Sequence, residues 1–150
     1  AAIKYLKFKR DKRAATILGK FMAEYIKRAE FDTKSFFVLP VPLGRQRQRM
    51  RGFNQAELIA EVFAEKLDIP LLRDGLVKTK DTPAQSELKS RAERENNLTG
   101  AFRADGEIIL GKNIILVDDV TTSGATFREA TNALKIAGAK KILALAAAKA

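Results

Sequence analysis

Residues 114–126 read Ile-Ile-Leu-Val-Asp-Asp-Val-Thr-Thr-Ser-Gly-Ala-Thr. Four consecutive aliphatic residues, Ile114 to Val117, have the pattern of a strand buried on both faces of a parallel sheet. The run ends in two carboxylates, Asp118 and Asp119, where such a strand emerges. In open α/β sheets, ligands bind at the carboxyl ends of the strands. Thr121, Thr122, Ser123 and Thr126 then crowd hydroxyls around Gly124, and Phe127, Ala130, Leu134 and Ala137 recur at helical spacing. A glycine-containing loop that feeds a helix presents backbone N–H groups and the positive dipole end to an anion. One turn therefore offers carboxylates for sugar hydroxyls and a cradle for a phosphate, the two requirements of a ribose 5-phosphate. The alternative is a solvated Asp-Asp turn whose Thr and Ser only cap a helix. A Walker loop needs Gly-Lys-Ser/Thr and a dinucleotide fold needs G-x-G-x-x-G; the sequence has neither. A receiver-type domain uses strand-end aspartates but leaves the Thr-Ser-Gly-Ala-Thr loop unexplained.

The chain contains no Cys and no His. Disulfides, Cys/His zinc sites, Cys nucleophiles and His-based triads are excluded from it. Acid–base work falls to Asp, Glu, Lys or Tyr, and an oxygen-ligated Mg²⁺ suits phosphates. At 150 residues and 46% apolar content, one domain with a real core is expected over residues 1–150. No apolar run has transmembrane length and no secretory signal is visible, so no membrane insertion and a cytoplasmic location are expected.

The net charge is +10, and residues 1–51 carry all of it, with 14 Lys and Arg against 4 acidic residues. Either this third meets an anionic partner, whether phosphates, nucleic acid or an acidic surface, or it is a basic solvated face. Ala2 to Phe8 reads as a strand or entry segment. Ile17, Leu18, Phe21, Met22, Tyr25 and Ile26 fall at helical spacing, and this stripe is expected to be core. Phe36 to Val41 is a second buried strand, stopped by Pro40 and Pro42. Its exit carries Arg45, Arg47, Arg49 and Arg51 at alternate positions, which share a face if extended. Arginine suits bidentate phosphate contact, and the alternative is a solvated basic loop. A helix with Phe53, Ala56, Ile59, Ala60, Phe63 and Leu67 on one side follows. Leu76 to Lys78, Ala101 to Arg103 and Lys141 to Ala146 are further strands, Asp105-Gly106 is a turn, and Gly138 closes the last helix. The polar segment 79–99 is either a flexible loop over a site or a surface helix around Glu87 to Asn96. Strands alternating with helices imply an α/β fold with an open, mainly parallel, Rossmann-like sheet of about five strands.

The Asp118-to-Thr126 stretch resembles the phosphoribosyl-diphosphate motif of the type I phosphoribosyltransferases. Pro40-Val41-Pro42-Leu43, Arg51-Gly52-Phe53-Asn54-Gln55, Thr82-Pro83-Ala84-Gln85, Leu88, Arg94, Asn97 and Ala101-Phe102 also resemble the ComF competence-protein branch of that family. The resemblance runs over nearly the whole chain. It implies a type I fold with a small hood and a flexible loop. It places Asp118 and Asp119 on the ribose hydroxyls, with Val120 and Thr121 leading into the 5′-phosphate loop Thr122, Ser123, Gly124, Ala125 and Thr126. Leu43, Gly44 and Arg45 carry over as the pyrophosphate loop, with Arg47, Arg49 and Arg51 as further anion contacts. It implies a Mg²⁺ that travels with the substrate, an unidentified acceptor and a weak expectation of a homodimer. Branch members often carry an N-terminal cysteine-rich zinc module, which is expected to be absent here or upstream. Two functions follow: phosphoribosyl transfer, or non-catalytic binding of phosphoribosyl diphosphate in DNA uptake, with single-stranded DNA on the basic third. A degenerate scaffold is a third reading, disfavoured by the intact motif.

Overall fold

A computed structural model describes residues 12–80 and 100–150. The chain order is α1 (Lys12–Arg28), β1 (Phe36–Pro40), α2 (Arg45–Arg51), α3 (Gln55–Leu67), β2 (Leu76–Lys78), β3 (Phe102–Ala104), α4 (Gly106–Ile109), β4 (Asn113–Thr121), α5 (Ala125–Ile136) and β5 (Lys141–Lys149). The expectations for Ala2 to Phe8 and for the motif residues between 82 and 97 lie outside the described residues, as does almost all of segment 79–99.

The centre is a parallel sheet in the order β1-β4-β5. Phe36 pairs with Asn113 and Pro40 with Val117, while β5 follows β4 from Asn113–Lys141 to Thr121–Lys149. The central strand is buried on both faces, which is why its sequence is a continuous aliphatic run. Ile115 and Val117 pack with α1 and α3, alongside Met22, Ile26, Ile59 and Phe63. Ile114 and Leu116 pack on the other face with Ile109, Ala130 and Leu134. After α3, Leu71 forms a lone parallel bridge to Val38, and Val38 donates its N–H to the Pro70 carbonyl. That single bridge partly covers the free edge of β1.

The five strands among the described residues thus divide. Three form the parallel sheet, and β2 and β3 make a separate antiparallel ribbon, with Leu76 opposite Ala104 and Lys78 opposite Phe102. Leu76, Ala101 and Phe102 face the α5-side core while Val77 is half exposed, the one-sided burial of an antiparallel pair. The expected Asp105-Gly106 turn is the start of a one-turn helix, with the Asp105 carboxylate accepting the Glu107 N–H.

Helix α1 corrects the sequence reading. Its core side is Ala14, Ala15, Gly19, Met22, Ala23 and Ile26. Ile17 is 52% exposed, Phe21 70% and Tyr25 65%. These three lie four residues apart on one ladder, turned away from the sheet. The apolar surface of α1 is wider than the sheet can cover. Replacing Phe21 and Tyr25 together by Ser is therefore expected to change unfolding free energy by no more than about 0.5 kcal/mol per site. Met22→Ala is expected to cost about 2–5 kcal/mol. Urea unfolding curves of the two variants check this, and comparable losses would contradict it.

Candidate functional site

β1 ends opposite Val117, and the Val41 N–H donates to the Val117 carbonyl at 2.8 Å. From Asp118 onward, β4 has β5 on one side and the exit of β1 on the other. The two sequence-predicted loops, Leu43–Arg45 and Asp118–Thr126, thus leave the same edge of the sheet. The β1 exit is fixed from a third direction. Asn54 donates its side-chain amide to the Val41 carbonyl at 3.0 Å, and its oxygen accepts the Ala56 N–H at 3.1 Å. One buried side chain caps α3 and anchors the loop beside the strand end.

The strand does not stop at the carboxylates. β4 continues through Val120 to Thr121, which pairs with Lys149, and the Ala150 N–H donates to the Thr121 carbonyl. Alternation along a strand sends the two acids to opposite faces. Asp118 follows Ile114 and Leu116 toward the α5 face and is half-buried. Asp119 follows Ile115 and Val117 toward the α1 and α3 face and is only 4% exposed. Asp118 Oδ1 accepts the Asp119 N–H at 2.8 Å. Asp119 Oδ2 is buried with no hydrogen-bond partner. A buried unpartnered polar group costs about 1–3 kcal/mol, more when charged. Such a group in a folded protein calls for a specific explanation, and a ligand donor is one.

Thr122, Ser123 and Gly124 form the turn. Gly124 has φ +81°, the left-handed region, and serves as the N-cap of α5 without a side-chain cap. Ser123 Oγ accepts the Ala125 N–H at 3.4 Å. The first N–H groups of a helix have no intrahelical partner, so the start of α5 brings backbone donors to the turn that follows the carboxylates. The first turn of α5 contains no acidic residue that would neutralise its dipole.

The arginine run departs from expectation. Residues Arg45–Arg51 are helix α2, not an extended exit, with Gly44 as N-cap and Gly52 as left-handed C-cap. Arg and Gln are good helix formers, and Pro42 lies outside the helix. Alternate residues on a helix point apart, so the four arginines do not share a face. Arg45 and Arg49 form one exposed ladder; Arg47 and Arg51 form another and are half-buried. Arg51 donates to Gln55 Oε1 at 3.2 Å, tying α2 to α3.

Sequence reasoning missed two parts of this edge. In the sequence Asn54 and Gln55, both buried here, stand out only as part of a motif, although an Asn before an apolar-periodic helix is a capping signal. Arg128, four residues past Gly124, donates through Nη1 to the Ser123 carbonyl at 3.2 Å. Among the described residues, no group of three or more His, Cys, Asp and Glu is arranged to hold a metal, and no helix is long and apolar enough to cross a membrane.

Residues 50–150 match the Phosphoribosyl transferase domain family. The chain belongs to the phosphoribosyltransferase family, in its ComF-like branch. It is 36% identical over 111 residues to Competence protein F of Haemophilus influenzae, covering 70% of this chain and 46% of that protein. It is 30% identical over 143 residues to DNA utilization protein YhgH of Escherichia coli K12, covering 93% and 62%. It is 31% identical over 132 residues to Competence protein ComFC of Bacillus subtilis, covering 85% and 50%. The chain thus spans about half to three-fifths of the curated relatives it matches. Among solved structures it is similar to the glutamine phosphoribosylpyrophosphate amidotransferase of B. subtilis. The identity there is 25% and the TM-score 0.59, over 89% of this chain and 26% of that one. These matches and the parallel sheet flanked by helices give the type I phosphoribosyltransferase fold.

Proposed function

We propose that this phosphoribosyltransferase-family domain binds phosphoribosyl diphosphate with Mg²⁺ and transfers the phosphoribosyl group to an acceptor. The observation that carries the reading is the buried, unpartnered Asp119 Oδ2 at the strand end that feeds the Gly124 turn. Ribose hydroxyls would donate to Asp118 and Asp119, and the 5′-phosphate would accept from the N–H groups and hydroxyls of Thr122 to Thr126. The C1–oxygen bond to diphosphate breaks with its electron pair leaving on the diphosphate, and the acceptor's lone pair forms the new bond. The two carboxylates favour the cationic sugar in the transition state. The exposed Arg45 and Arg49 would receive the anionic leaving group, with Leu43 and Gly44 supplying backbone. The Mg²⁺ would be held mainly by the substrate's own oxygens. When bound, Mg²⁺ would neutralise charge on the diphosphate.

The relatives' printed names, competence and DNA utilization proteins, favour a second reading. In it the same ligand is bound as a signal in the cytoplasm, and the basic first third meets single-stranded DNA or competence proteins. Thermal unfolding with and without ligand tests the shared claim. Mg-phosphoribosyl diphosphate at one hundred times its Kd is expected to add about 2.7 kcal/mol of stability. An unchanged midpoint at millimolar ligand would remove both readings. Diphosphate release with a panel of nucleobase and amine acceptors separates them. Release favours transfer, and none alongside salt-sensitive DNA binding favours the second reading.

A further inference from the structure

We infer that the outer face of α1, with Phe21 and Tyr25 as stacking platforms, binds single-stranded DNA; the inference deepens the DNA reading above and is independent of phosphoribosyl transfer. Ile17, Phe21 and Tyr25 are each more than half exposed. Apolar side chains scattered singly on a surface are ordinary, whereas a continuous exposed set rimmed by polar residues marks an interaction site. Packing fixes the outward turn of this ladder. Gly19 lies against α3, where a Cβ would stand 2.8 Å from Val62 Cβ and 3.0 Å from the Ile59 carbonyl oxygen. Phe21, two positions on, is rotated by about 200° from that contact. Met22 and Ile26 hold the same orientation from the core side.

The charge of the helix selects the occupant. α1 carries Lys12, Arg13, Lys20, Lys27 and Arg28 against one acid, Glu24, and Lys20, Lys27 and Arg28 are exposed. Glu24 lies 3.9 Å from Arg28 with both side chains largely in solvent, a weak pair that leaves the face cationic. A second copy of the chain would bring two such faces together, and they would repel. A bilayer takes a broad apolar face about 5–10 Å into its headgroup boundary. Here the broad face, with Ala15, Met22, Ala23 and Ile26, is committed to the core, and the exposed ladder is one side chain wide, bounded by Lys20 and Glu24. A single nucleic-acid strand matches both features: its bases stack on aromatic rings whatever the sequence, and its phosphates follow a cationic track. Phe21 and Tyr25 are about 6 Å apart along the helix axis, so each ring can take its own base. Lys20 and Lys27, two turns apart on one side of the ladder, are placed for the phosphates. Helix α2, by contrast, splits its arginines between two ladders and has no ring among them.

The test measures fluorescence anisotropy of a labelled deoxythymidine oligonucleotide and of a labelled duplex, on the full chain and a set of variants. Phe21→Ser with Tyr25→Ser is expected to weaken the single strand at least about 25-fold, at roughly 5- to 150-fold per ring. Duplex binding, which rests on phosphate contact, should change by no more than about twofold. Phe21→Tyr keeps a ring and should keep the affinity. Lys20→Gln with Lys27→Gln should lower the salt slope of single-strand binding by about 1.4, whereas the aromatic variant should leave the slope unchanged. Ile136→Ser removes an 80% exposed apolar side chain from α5 and, as the control, should change nothing. Unfolding midpoints near wild type show that a loss is not unfolding. Undiminished single-strand affinity in the aromatic variant, or equal losses on single strand and duplex, would overturn the assignment while leaving the DNA reading standing. A wild-type chain that binds no oligonucleotide at low salt would overturn both, and titration with phosphoribosyl diphosphate reports separately on transfer. Vesicles of phosphatidylcholine with phosphatidylserine are the counter-probe: an aromatic variant that loses the vesicles and keeps the oligonucleotide would make the ladder a lipid face and overturn the assignment.

Discussion

Asp118→Asn combined with Asp119→Asn is expected to abolish binding of phosphoribosyl diphosphate while the domain still unfolds cooperatively. Each carboxylate would accept a charge-assisted bond from a sugar hydroxyl, worth about 1.5–3 kcal/mol. Losing both corresponds to roughly 10²- to 10⁴-fold in affinity. The effect on folding differs because the existing bonds differ. Asp118 Oδ1 accepts the Asp119 N–H, and an asparagine oxygen can do the same. Among the described residues, Asp119 Oδ2 has no hydrogen-bond partner, so replacing this carboxylate by an amide removes no bond to that oxygen. The double variant should keep a single cooperative unfolding transition, and each kcal/mol lost or gained would move its midpoint by about 2–4 °C. Loss of the cooperative transition would instead make the pair a structural element of β4.

Gly124→Ala is expected to cost about 1–2 kcal/mol of stability and at least tenfold in affinity for ribose 5-phosphate. The stability term comes from φ +81°, a conformation that places Cβ against the following carbonyl. The affinity term comes from position. The new methyl would stand in the turn where the phosphate is expected, in van der Waals contact with Arg128 Nη1 at 3.4 Å; the strained φ, not this contact, would displace the turn. Gly111→Ala is the control. Its φ is +74° with nothing within 4 Å of the added Cβ, and it precedes the amino end of β4, opposite the site. It should lose similar stability and keep its affinity. Equal affinity losses in the two variants would show that the Gly124 effect is global.

The parts legible in the sequence were those where composition and environment correspond one to one. A strand covered on both faces must be apolar throughout, so Ile114 to Val117 identified itself, and the carboxylates and hydroxyl-rich turn followed at its end. Periodicity told that α1 is a helix, but not how far around it the sheet reaches. Leu18 is partly covered and Met22 buried, while Ile17 and Phe21, one position earlier in each case, are exposed. Alternate arginines suggested an extended segment, yet their intrinsic preference and the preceding Pro-Leu-Gly favoured a helix. The opposed faces of Asp118 and Asp119, the orphaned oxygen, and the Asn54 tie to Val41 arise from tertiary placement. No local pattern encodes them.

Calorimetric titration of phosphoribosyl diphosphate into the wild-type chain, with and without Mg²⁺, tests the central claim most directly. One saturable site that needs Mg²⁺ and disappears in the Asp118/Asp119 variant is the predicted result. Absence of heat at millimolar ligand, in protein shown to be folded by its cooperative thermal transition, would contradict the claim that this strand end and turn form a phosphoribosyl site.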